Sequence, residues 1–98
     1  MKTVFFITME HYSGVKNLLY TDDVVSRHTI NFREARALGF NKDGYYLEID
    51  GSHEAIEKAK HLIGDKGKEV AGHEKDEVLK KIKEQEDSAA EGFGALFG

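Results

Sequence analysis

Residues 2–8, KTVFFIT, constrain the fold more than any other stretch. β-Branched and aromatic side chains follow one another without the apolar–polar alternation of a strand that has one wet face. The segment therefore reads as a central strand covered on both sides. Such a strand needs a sheet with a layer on each face, and a chain of 98 residues has material for one such core and no second. An apolar content of 40% suffices for it. The same stretch is too short to span a bilayer or to serve as a signal-peptide core, so no membrane and a cytoplasmic location are expected.

No proline occurs, and the ten glycines with Asn and Asp punctuate the rest. Tyr45 to Asp50 alternates as a second strand, entered by the turn Asn41-Lys42-Asp43-Gly44 and left at Gly51. Ser52 suits an N-cap, and Ala55, Ile56, Ala59, Leu62 and Ile63 share one face before Gly64, which predicts a helix over 53–63. Lys68 to Ala71 reads as a weak edge strand. Glu74 to Asp87 reads as a charged helix with Val78, Leu79 and Ile82 on one face and Asp76–Lys80 and Glu77–Lys81 pairs.

The stretch from Gly14 to Gly39 is harder. Val15 to Val25 has helical spacing, and Thr29 to Phe32 alternates like a strand. Phe32 to Leu38 admits two readings. It forms a short helix capped by Asn31, with Glu34 as capping-box partner and Gly39 as stop, or it continues the strand with a bulge near Glu34 that keeps Phe32 and Ala35 on one face. Together these segments predict an α+β fold with a ferredoxin-like split βαβ layout and an added C-terminal helix. Residues 1–87 form the single domain, and 88–98 a hydrophobic tail. A layout shared by so many proteins licenses no function.

The side-chain chemistry excludes more than it names. Without cysteine there is no disulfide, thiolate metal site or Cys nucleophile, and the chain suits a reducing interior. A net charge of −4 argues against a general grip on nucleic acid. Five histidines show neither i,i+4 pairing nor an HxH, so no metal and no cofactor are expected. His11-Tyr12-Ser13-Gly14 follows the central strand, where α/β folds commonly bind ligands, and is the candidate pocket. No base and acid pair with Ser13, and no catalytic residue is assigned. Arg33 and Arg36 fall one turn apart if 31–38 is helical, a spacing that would hold a phosphate or carboxylate. With Glu34 between them and Asp22-Asp23 upstream, the plainer reading is a mixed solvated surface.

Two segments resemble known families. Tyr45 to Ile63, YYLEIDGSHEAIEKAKHLI, resembles the closing strand and helix of KH nucleic-acid-binding domains, but no Gly-x-x-Gly turn lies upstream to clamp a nucleotide backbone. The final residues, EGFGALFG, are similar to the C-terminal tail of archaeal ribosomal stalk proteins, and the chain as a whole resembles small archaeal-type ferredoxin-like proteins. In the stalk family the tail docks onto translational GTPases, which implies partner contacts for Phe93, Leu96 and Phe97. Those residues sit at i, i+3 and i+4, so one helical turn gathers them on one side. Either they cover an exposed face of their own sheet or they dock into a partner's groove. The functional expectation is a non-enzymatic protein-interaction or adaptor domain. The alternative is a small-ligand or nucleic-acid binding domain of KH-like or ferredoxin-like type. A weak fourth strand leaves homodimerisation at a sheet edge as a further expectation.

Overall fold

The computed structural model describes the backbone of residues 1–97 and the side chains of residues 1–88. Four strands, β1 (Lys2–Ile7), β2 (Thr29–Glu34), β3 (Tyr45–Asp50) and β4 (Gly67–Val70), form one sheet in the order β2-β3-β1-β4. Every neighbouring pair is antiparallel. Helix α1 (Met9–Thr21) joins β1 to β2, α2 (His53–Ile63) joins β3 to β4, and α3 (Gly72–Phe97) follows. Each strand–helix–strand unit leaves a gap of one strand, which a strand of the other unit fills. The protein is an α+β fold.

The central strand is covered on both sides, as its composition requires. Phe5 and Ile7 join Leu47 and Ile49 beneath α1 and α2, where Val15, Leu19, Ile56, Ala59 and Ile63 complete one cluster. Val4 and Phe6 project the other way, with Tyr46, into a second cluster closed by Ala35, Leu38, Phe40, Val70, Val78, Leu79 and Ile82. The second face is thus covered by α3 and the 35–40 segment. The face that the core-cover reading of the tail called on it to fill is occupied by Val78, Leu79 and Ile82. The contacts expected of Phe93, Leu96 and Phe97 themselves lie outside the described residues.

Local signals explain why α2 stands where the sequence predicts it. The Ser52 hydroxyl accepts the Ala55 N–H at 3.1 Å, Glu54 complements the positive helix end, and Gly64 terminates it. Gly44 admits no other residue: its φ is 153°, and a Cβ there would lie 2.6 Å from the Phe6 ring and 2.7 Å from the Ile7 carbonyl oxygen.

Four expectations are corrected. The helix expected over Val15 to Val25 begins at Met9 and ends at Thr21, because the Asp22 carboxylate takes the N–H groups of Val24 and Val25 and starts a separate 3-10 turn, Val25–Arg27. The candidate pocket His11-Tyr12-Ser13-Gly14 consequently lies within the first two turns of a helix. The 31–38 segment is strand through Glu34 and then a 3-10 turn, Arg36–Leu38, stopped by Gly39 at φ 95°. No bulge is needed. Phe32 faces α1 and Ala35 faces α3, so they lie on opposite sides of the sheet. Finally, α3 starts at Gly72, and the side-chain pairs within it among the described residues are His73 with Glu77 at 4.0 Å and Lys81 with Glu84 at 3.9 Å, in place of the two expected pairs. Among the described residues, no helix is long and apolar enough to cross a membrane.

Candidate interaction surface

Because residues 11–14 are helical, their side chains diverge. His11, 3.2 Å from Glu10, lines a shallow cleft with Phe6, Thr8, Asp65, Lys66 and Lys68. Tyr12 turns the other way. It stacks on Tyr45 with ring centroids 3.8 Å apart and meets Phe32 edge-on at 5.3 Å. Tyr20 lies tilted against Phe32 at 6.5 Å and remains 48% exposed. Its hydroxyl reaches the Ile30 carbonyl oxygen at 3.5 Å. Lys16 stands between the tyrosines, 5.5 Å from the Tyr12 ring centre. Ser13 and Asn17 complete a groove of about 340 Å³ beside them. Gly14 has no neighbour that a side chain would meet.

The result is a half-exposed aromatic platform at the β2 edge, built from α1, β2 and the start of β3. Of the residues expected in the 11–14 pocket, the platform keeps Tyr12 and Ser13 and separates His11. It adds Lys16, Tyr20, Phe32 and Tyr45, which the sequence reading did not assign. Tyr12, Lys16 and Tyr20 recur at i, i+4 and i+8, a helical stripe visible only once the helix is known to begin at Met9.

The two arginines do not converge. Arg33 projects from β2 towards α3, where its Nη2 lies 3.6 Å from Glu86 and its buried Nε has no hydrogen-bond partner. Arg36 donates to Asp43 at 2.7 Å and to Asn41 at 3.1 Å, closing the 36–43 turn. The hydrogen bond to Asp43 pushes its pKa further up. Neither arrangement is the paired fork expected for an anion.

Beneath α3 the charges are paired as well. Glu74 accepts from the Lys42 ammonium and from the buried Tyr46 hydroxyl, both at 2.9 Å, and these two bonds hold its pKa below the ordinary carboxylate value. Lys42 rises correspondingly, chiefly through its bond to Glu74. Burial pushes the Tyr46 hydroxyl up. Glu48, only 7% exposed, keeps Lys2 at 3.5 Å and Asn31 at 3.3 Å. The adjoining cleft of about 560 Å³, with Leu79, Ile82, Lys83 and Glu86 opposite, carries both signs of charge and no Ser, Thr, Cys or His. Among the described residues, no three metal-ligating side chains are grouped to hold an ion. No family model, curated protein or solved structure matches the chain.

Proposed function

We propose that this is a non-enzymatic protein-interaction domain of ferredoxin-like layout that works in the cytoplasm. The observation that carries the reading is the aromatic platform. Tyr12, Tyr20, Phe32 and Tyr45 form a contiguous, partly exposed surface flanked by a lysine, the residue chemistry that concentrates energy in protein interfaces. Tyrosine supplies large contact area while ordering few torsions, so a partner gains contact at small entropic cost. The tail adds a second contact. Its resemblance to the stalk tail, and the closure of the second sheet face by Val78, Leu79 and Ile82, favour docking of Phe93, Leu96 and Phe97 on a partner over a place in this core.

Site-specific photo-crosslinking in cells tests the reading. A crosslinking amino acid replaces Tyr20 in one variant and Leu96 in another, with exposed Asp76 on α3 as the control position. Discrete adducts with other proteins at position 20 or 96, absent at 76, are expected. No adduct at either position, or the same adducts at all three, would overturn it.

A further inference from the structure

We infer that a second copy of this chain pairs with the exposed edge of β2, extending the four-stranded sheet across a two-fold axis. The two sheet edges are built differently. β4 has four residues and carries Lys68 and Glu69, a short charged edge of the kind that resists pairing. β2 has six residues, no bulge in its register with β3, and Ile30 and Phe32 at its centre.

Which backbone groups β2 offers follows from the ladder. Ala35 N–H donates to the Gly44 carbonyl at 2.9 Å, so the odd-numbered residues of β2 bond to β3 and Ile30, Phe32 and Glu34 turn theirs outward. The Tyr20 hydroxyl on the Ile30 carbonyl confirms that direction. That contact is long, and a carbonyl oxygen has a second lone pair for a strand N–H.

An antiparallel pair of identical strands must match outward residues with outward residues, which allows a two-fold axis at Ile30, Asn31, Phe32 or Arg33. An axis at Ile30 sets Arg27 against Arg33 of the second copy. An axis at Arg33 sets two guanidinium groups against each other. An axis at Phe32 puts Ile30 opposite Glu34. With the axis at Asn31, Ile30 faces Phe32 of the second copy, His28 faces its Glu34, and Thr29 faces its Arg33. That register joins apolar to apolar and opposes no like charges, while the His28 ring keeps its place over Gly51 of its own chain. The His28 N–H is already given to Val25, yet its carbonyl oxygen is available to the Glu34 N–H of the second copy. Tyr20 and Phe32 flank this axis, so the inference rests on the platform being an interaction surface and names a second copy as one occupant.

Sedimentation equilibrium of the full chain, from micromolar to millimolar concentration, is expected to show a species of twice the 11.0 kDa chain mass. Two substitutions probe the edge without touching the β2–β3 ladder. Glu34→Pro removes an outward N–H, and Thr29→Lys sets a cation against Arg33 of the second copy while facing Asp50 within its own chain. Each is expected to weaken association roughly 10- to 100-fold, since each acts twice per dimer, with circular dichroism unchanged. Glu69→Pro, on the β4 edge, is expected to leave association unaffected. A wild-type chain monomeric at millimolar concentration, a dimer that survives both β2 substitutions, or one lost only in Glu69→Pro overturns the inference. Crosslinks from position 20 or 96 to other proteins would stand in all three cases.

Discussion

Replacing Tyr46 by Phe removes one hydroxyl and leaves the ring between Phe6 and Phe40, whose centroids lie 5.3 and 5.1 Å away. The lost hydroxyl donates to Glu74 across 2.9 Å and ties β3, one of the two inner strands, to the first turn of α3. A hydrogen bond to a charged acceptor contributes about 1.5–3 kcal/mol when shielded from water. The Glu74 side chain is 43% exposed and shared with Lys42, which places the expected loss lower, at about 1–1.5 kcal/mol. For a domain this small that is a fall in Tm of about 4–12 °C. Urea denaturation of wild type, Tyr46→Phe, Glu74→Gln and the double variant isolates the coupling, expected near 1 kcal/mol at neutral pH. Glu74 has a depressed pKa in the folded protein. Its contribution is therefore fully present above the ordinary value of 4.5 and is lost as pH falls through the lower, folded value. The coupling should shrink in acid. A loss below about 0.5 kcal/mol for Tyr46→Phe, or a coupling that persists or grows in acid, would refute the argument.

Ile56→Ala and Phe5→Ala, which hollow the cluster beneath α1 and α2, are each expected to cost about 2–5 kcal/mol by chemical denaturation. Gly44→Ala forces a side chain against the Ile7 carbonyl oxygen at a backbone angle only glycine favours, and should cost at least about 2 kcal/mol in the same assay. Truncation after Ser88 is expected to lower Tm by less than about 4 °C, because Val78, Leu79 and Ile82 remain to cover the second face. A larger fall would return the tail to the core.

What could be read in the sequence was local. Ser52 and Gly64 bracket α2 because capping acts within a few residues, and the uninterrupted apolar run of β1 announces two covering layers without naming them. Where two local readings competed, distant partners decided. Residues 29–34 are strand because Tyr45–Asp50 supplies their ladder, and no periodicity within 31–38 contains that information. The start of α1 was hidden for a different reason. Thr8 caps it without a side-chain bond, and Gly14 in its second turn looks like a break. The platform needed both corrections, since Tyr12 meets Tyr45 only when α1 begins early and β3 lies beside β2. The arginine pair dissolved because its spacing argument assumed a helix that the β3 ladder prevents.

The interlocked strand order sets a timetable for synthesis. β1 is made first, yet its neighbours are β3, where Lys2 meets Asp50, and β4, where Val4 meets Val70. At translation rates of about 5–20 residues per second, roughly 2–9 s separate the completion of β1 from that of β3. During that interval VFFI, an apolar, uncharged run of high β propensity, has neither of its partner strands within the nascent chain. Even a fully formed α1 would offer Val15 and Leu19 to only one of the two faces that β1 must hide. Conditions that slow elongation between residues 8 and 50 should therefore lower soluble yield without altering the stability of the molecules that do fold.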